Sequence, residues 1–248
     1  MQDRYAGDVG DFAKYGLLRA MTDAELARRP GLVWFLVPDE RHNEDGRFTE
    51  YLAERHEPRF RPCDPALYDE LRALIGRGVR SVEAVRRAKV LPPSTASFHE
   101  RLMYPPADSA TAVRDRWLQD ALVATADCDL VFFDPDNGVA SDSMRPGRSD
   151  LKHVFIEDLA AFYAREQSLV VYHHFGRQGS HEAQARQLQV RLAVGLGLTT
   201  PPVILRWTAF SARAFAVVPS PERVDVVSHF VSAFRESPWG QHFTSANT

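Results

Sequence analysis

Short apolar runs alternate with helix-periodic stretches along most of the chain, and their order predicts an α/β fold. Residues 32–37 (LVWFLV), 130–133 (LVFF) and 169–172 (LVVY) are unbroken runs of β-branched, aromatic and leucine side chains. That is the pattern of strands covered on both faces of a sheet. Phe12, Tyr15, Leu18 and Met21 recur at helical spacing, which predicts a helix over residues 11–27 with Asp8 or Asp11 as its cap. Helical patterns return at 48–88, where Cys63-Asp64-Pro65 interrupts them, and at 114–126, 155–166, 182–196 and 224–234. Residues 203–207 and 214–218 flank the stretch from Thr208 to Arg213 and predict an antiparallel hairpin. Stretch 90–106 is interrupted by proline and reads as an edge strand or a loop over the site. The tail beyond Pro238 is expected to be loose. The sum is a single Rossmann-like domain over residues 1–248. Its sheet is mostly parallel, flanked by helices and closed by a C-terminal antiparallel hairpin, with 48–106 as a helical and loop insertion over the site.

Composition narrows the classes. A chain of 248 residues with 44% hydrophobic content can bury a large core. Its formal net charge is −3, so it is not globally basic, and contact with nucleic acid has to come from a local arginine patch. Arg77, Arg80, Arg86 and Arg87 with Lys89 form one such run. Cys63 and Cys128 have no metal-ligand spacing, which argues against a zinc site or a disulfide framework and fits a reducing cytoplasm. No apolar run approaches the roughly 20 residues of a membrane span, and the N-terminal stretch is polar, so no membrane association is expected.

Candidate chemistry concentrates where buried runs end, the place where open α/β sheets bind ligands. The run at 130–133 stops in Asp134-Pro135-Asp136-Asn137-Gly138, which packs two carboxylates and an amide into one tight turn. The run at 32–37 stops in a loop that includes His42, Asn43, Asp45 and Gly46. The run at 169–172 stops in His173-His174-Phe175-Gly176-Arg177. Adjacent histidines on an extended chain point to opposite sides, so one of the two is expected in the site, and a metal role would need a third convergent ligand. Arg145 and Arg148 sit in a basic loop after the acidic turn, and Tyr104 lies in the proline-interrupted stretch. Neither G-x-G-x-x-G nor a P-loop occurs anywhere in the chain.

Two family resemblances follow from these residues. A strand with an acidic-proline end, a helix, another strand, a helix and a closing hairpin looks like the second half of the class I methyltransferase fold. Asp134-Pro135-Asp136-Asn137 sits where amino-methyltransferases carry D-P-P-[YF]. The stretch from Ala6 to Lys14 (AGDVGDFAK) is similar to the G-N-x-A-D-x-x-K segment of bacterial 23S rRNA adenine-N6 methyltransferases. That resemblance implies S-adenosylmethionine as cofactor. The chain departs from it in lacking glycines after the first strand and in carrying Asp136 and Asn137 in place of proline and an aromatic residue. The loops at 38–47 and 173–178 also resemble, loosely, the water-positioning and His-bearing loops of uracil-DNA glycosylase-like enzymes, although the hairpin extends beyond that fold. The R-Y-A-G-D-V-G-D-F and F-F-D-P-D-N-G strings are similar to strings in other bacterial proteins and imply no activity by themselves.

Because the missing glycines remove a cofactor contact, the leading expectation is a cofactor-independent, metal-independent hydrolase of the DNA glycosylase type. It would remove a flipped base from modified or foreign nucleic acid, DNA before RNA, in a role suited to antiviral defence. Asp134 or Asp45 would activate water, Asn43 and Asn137 would hold that water or the base, and His173 or His174 would stabilise the departing base. Asp136 and His42 would contact substrate, Phe175 or Tyr104 would stack the base, and Arg145, Arg148 and Arg177 would hold phosphates. The alternatives are an S-adenosylmethionine-dependent amino-methyltransferase of RNA or DNA, a silent nucleic-acid-binding module, and a metal-dependent nuclease using Asp134, Asp136 and a histidine.

Overall fold

The computed structural model describes residues 1–40, 46–103, 109–144, 151–177 and 179–245. Among them a seven-stranded sheet runs through the molecule. Its strands are β1 (Pro30–Trp34), β2 (Ala96–Phe98), β3 (Leu130–Asp134), β6 (Ser168–His174), β7 (Val203–Trp207), β8 (Arg213–Val218) and β9 (Phe243–Ser245). A two-stranded ribbon pairs β4 (Gly138–Val139) with β5 (His153–Val154). The helices are α1 (Val9–Asp23), α2 (Glu57–Phe60), α3 (Pro65–Gly76), α4 (Val82–Arg87), α5 (Ala110–Ala124), α6 (Ile156–Tyr163), α7 (His181–Gly195) and α8 (Val224–Glu236).

Spatial order in the main sheet is β2-β1-β3-β6-β8-β7-β9. Strands β2, β1, β3 and β6 are mutually parallel, and β8 enters antiparallel between β6 and β7. The protein is therefore a mixed, Rossmann-like α/β fold with an antiparallel C-terminal part.

The period-two alternation of the strands divides the core between two faces. Leu32, Trp34, Leu130, Phe132, Val170, Tyr172, Phe215 and Val217 meet α1, α3, α4 and α8 on one side. Val33, Phe35, Val131, Phe133, Leu169, Val171, Ala214 and Ala216 meet α5, α6 and α7 on the other. Chain leaving β1 crosses the first face to reach β2, whereas chain leaving β3 crosses the second to reach β6. The order thus reverses between β1 and β3, and a crevice opens above their carboxyl ends.

Helix α1 begins at Val9, where the Asp8 side chain accepts a hydrogen bond from the Asp11 backbone N–H at 3.0 Å, and it ends at Asp23, earlier than the pattern predicted. Asp64 caps α3 in the same way. The histidine pair belongs to β6 itself, so that strand is longer than the apolar run suggested.

The tail beyond Pro238 is not loose. Residues Pro238–Gln241 form a 3-10 turn, and β9 then pairs with β7. Trp239 is buried against α1, with its ring 5.0 Å from that of Phe12. Gly16 of α1 makes room for it, since a Cβ there would fall 2.1 Å from the indole. Burying one indole outweighs a weakly patterned tail sequence.

That contact predicts the outcome of Gly16→Ala. In an exposed helix the change would stabilise by about 1 kcal/mol. Here overpacking against Trp239 reverses the sign, and chemical denaturation is expected to show a loss of about 1–3 kcal/mol. A gain in stability would contradict the packing described.

Candidate active site

Strand parity and helix spacing converge on one ion pair. Asp134 ends β3 and shares a face with Phe132, toward α1. Asp8, Asp11 and Lys14 recur every three residues and so lie along one side of the first turns of α1. Lys14 Nζ reaches 2.9 Å from Asp134 Oδ1, 3.1 Å from Oδ2 and 3.2 Å from Asp11 Oδ1. It also sits 4.5 Å above the Tyr172 ring. Lys14 and Asp134 are 6% and 1% exposed, respectively, at the side chain. Burial by itself would strip the ammonium of its proton, but the carboxylates of Asp134 and Asp11 outweigh it and raise the Lys14 pKa. Burial pushes the Asp11 carboxyl up to about 6 against the pull of Lys14, with Asp8 and Asp134 adding to the rise. Asp134 Oδ1 is held by the Lys14 charge without a directional hydrogen bond, whereas Oδ2 accepts one.

A second cluster joins the beginning of the chain to the same turn. The Met1 amino group donates to Phe35 O at 2.9 Å and lies 3.4 Å from Asp136 Oδ1. The Val37 N–H returns a bond to Met1 O at 2.9 Å. Asp136 also accepts from Gln2 Nε2 at 3.0 Å and pairs with Lys152 at 3.3 Å, and Lys152 in turn contacts Glu40. Burial acts to raise the Asp136 pKa. The Met1 ammonium, the Gln2 amide and Lys152 together overcome it and hold that carboxyl at about 2. Asp136 is thus a staple between chain segments, with one edge on the cavity.

The cavity above these groups encloses about 300 Å³, within the range of small-ligand sites. Its wall includes Asp8, Lys14, Asp134, Asn137, Tyr172, His174 and Arg213, and Gly46, Phe48 and Ser211 complete the rim. Asn137 is exposed there.

The two histidines part ways as the extended backbone requires. His174 shares the Tyr172 face, 5.0 Å from that ring, and lines the cavity. His173 points to the opposite face, where its Nδ1 accepts the Val139 N–H at 3.0 Å. Gly138, with φ at +94°, allows that approach, because a Cβ there would fall 2.5 Å from the His173 ring. Burial lowers the His173 pKa to about 4, with Arg191 and His153 adding to the fall. Burial lowers that of His174 to about 3, helped by Arg213 and Lys14 against Asp136. Both imidazoles are neutral at neutral pH.

The structure brings Asp134, Asp136, Asn137 and His174 together and removes three other expected residues. His173 has the role in the ribbon just described. Phe175 stacks on His181 at 4.8 Å among far-face residues, so it is not placed to stack a base. Arg177 is exposed and absent from the described cavity wall. His42, Asn43, Asp45, Tyr104, Arg145 and Arg148 lie outside the described residues.

Sequence reasoning passed over Asp8, Lys14, Tyr172 and Arg213 as site residues. An acid, acid, lysine series every three positions on an otherwise apolar helix was a usable signal for Lys14. Parity with His174 was one for Tyr172. Among the described residues no group of three His, Cys, Asp or Glu is placed to hold a metal, and no helix is long and apolar enough to cross a membrane. Comparison with protein families, curated proteins and solved structures finds no match.

Two neutral histidines predict a pH dependence. Their folded pKa values lie below the unfolded value near 6.5, so the folded state binds fewer protons in acid. Stability is full above about pH 6.5 and is lost as pH falls below it, by up to about 1.4 kcal/mol per pH unit for each histidine. Urea unfolding at pH 7.0 and 5.5 is expected to give a smaller loss for His174→Gln than for the unmodified protein. An equal loss would contradict the assignment.

Proposed function

We propose that the chain is an S-adenosylmethionine-dependent methyltransferase acting on an exocyclic amine of a nucleic-acid base. One observation carries this reading. A buried carboxylate, Asp134, stands on the wall of a cavity where the strand order reverses, with the exposed Asn137 on the same wall; Lys14 holds both of its oxygens, and each keeps a second lone pair. Two oxygen acceptors in this position suit the two N–H groups of an amine.

The sheet supports this reading over base excision by hydrolysis. Strand β8 entering antiparallel between β6 and β7 continues the order that the methyltransferase resemblance implies. The glycosylase-like resemblance leaves that part of the chain without a counterpart. Lys14 also occupies the side of Asp134 that a water-activating base would need free. The neutral His174 imidazole on the cavity wall is the one feature that favours excision, because it could donate to a departing base.

The residues present fit the cofactor on the β1 side of the cavity. Gly46, with φ at +84°, packs against the first residues, where a Cβ would fall 2.3 Å from the Tyr5 ring and 2.9 Å from Arg4 O, so glycine there serves the chain's own packing. The carboxylates of Asp8 and Asp134 on the wall suit a ligand that carries ammonium and sulfonium charges. The amides after β1 are less open, since the Phe35 N–H donates to Asp134 O and the Val37 N–H to Met1 O. Asp8 would hold the cofactor, which supplies an electrophilic methyl group when bound. Asp134 and Asn137 accept from the amine and turn its lone pair toward the cavity. Lys14 fixes the Asp134 carboxylate, and Phe48, 39% exposed on the rim, offers a stacking face to the base.

Addition of S-adenosylmethionine at a hundredfold over its dissociation constant is expected to stabilise the protein by about 2.7 kcal/mol. For a chain of this size that is a rise in melting temperature of about 5–10 °C. Incubation with mixed DNA and RNA is expected to give a methylated base by mass spectrometry, with the rate lowered about 10²-fold or more in Asp134→Ala. Release of free base without cofactor, or no thermal shift, would overturn the reading.

A further inference from the structure

Arg213 opens β8 opposite His174 in the antiparallel ladder and faces the cavity from the side away from β1. Its side chain is 7% exposed. Nη2 lies 3.9 Å from Asp8 Oδ2, the guanidinium also interacts with the Tyr172 side chain, and neither Nε nor Nη1 makes a directional hydrogen bond. Two residues earlier on the same cavity wall, the Ser211 hydroxyl is also buried without a partner. A buried guanidinium with two nitrogens lacking directional bonds is costly; Arg114 has the same deficit away from any described cavity, whereas Arg213 and Ser211 present theirs to one. The hairpin tip is held to present these groups. Phe210 adopts φ at +63°, a left-handed conformation unusual for a bulky residue, and its ring packs 5.5 Å from His56 and 5.9 Å from Phe60.

A planar fork of N–H donors with a hydroxyl beside it matches the oxygens of a phosphate. The Asp8 carboxylate next to Arg213 tempers the local charge, which favours a singly charged diester over a doubly charged monoester. We propose that Arg213 and Ser211 form a phosphodiester subsite for the backbone of the nucleic-acid strand whose base reaches Asp134. The inference deepens the methyltransferase reading by assigning how its acceptor strand is held, and its test needs no methyl transfer.

Binding of random-sequence single-stranded 12-mers of DNA and RNA without terminal phosphates is measured by fluorescence anisotropy, with no cofactor present. The same oligomers with neutral methylphosphonate linkages, and the nucleoside 5′-monophosphates, serve as comparisons. Arg213→Gln is expected to weaken diester oligomers about tenfold or more and leave methylphosphonate oligomers unchanged. It is also expected to reduce the salt slope of log affinity by about 0.7, the value for one phosphate contact on a single strand. Ser211→Ala, a smaller change at a site where folding is not in question, is expected to weaken the diester oligomers about threefold. Equal effects on charged and neutral oligomers, no oligomer binding, an unchanged salt slope, or tighter binding of monophosphates than of diesters would overturn the inference. Failure of methyl transfer with these preferences intact would count against the proposed reaction alone.

Discussion

The pairing of Lys14 with Asp134 is the contact around which the cavity is assembled. An ammonium and a carboxylate removed from water this completely lose several kcal/mol of solvation each unless geometry returns it. Here the return comes from both carboxylate oxygens, from Asp11 and from the face of Tyr172. The consequence is positional. Helix α1 cannot slide along the sheet without leaving a buried charge unpaired, so the pair fixes its N-terminus over the switch point between β1 and β3. The side chain of Asp8 is then carried to the cavity, while Asp11 stays buried beside Lys14.

Around that contact the polar groups fall into two kinds. Asp136 is spent on structure, since the Met1 amine, Gln2 and Lys152 surround it and bind the first residues to the end of β3. Asp134 Oδ1, Ser211 Oγ and two nitrogens of Arg213 remain without directional partners on the same cavity wall. Asp136 Oδ1 also lacks a directional partner, but it lies 3.4 Å from the Met1 ammonium within the staple. Asp134 and Asp136 stand two residues apart in one turn, yet one pairs with helix α1 through Lys14 and the other with the first residues and Lys152.

Much of this architecture was legible in the sequence. The buried runs at 130–133 and 169–172 and the hairpin at 203–218 are strong because both strand faces are covered, which removes the ambiguity of half-exposed strands. The turn after β3 was legible as a site because its residues are local in sequence. Lys14, Tyr172 and Arg213 were harder, since they become site residues through contacts 120 or more positions apart or through ladder register. The tail was misread because Trp239 and Phe243 are single aromatics in a polar stretch. Their burial depends on Gly16 leaving space, a complementarity that no periodicity records.

A double-mutant cycle on Lys14→Met and Asp134→Asn tests the central claim most directly. Lys14→Met leaves the Asp134 carboxylate without its cation and is predicted to cost about 3–5 kcal/mol in urea unfolding; Asp134→Asn leaves Lys14 with Asp11 alone and is predicted to cost about 2–4 kcal/mol; the double variant removes both charges and recovers at least about 2 kcal/mol of the summed loss. Additive losses, with a coupling near zero, would show that the two groups do not depend on one another and would contradict the account.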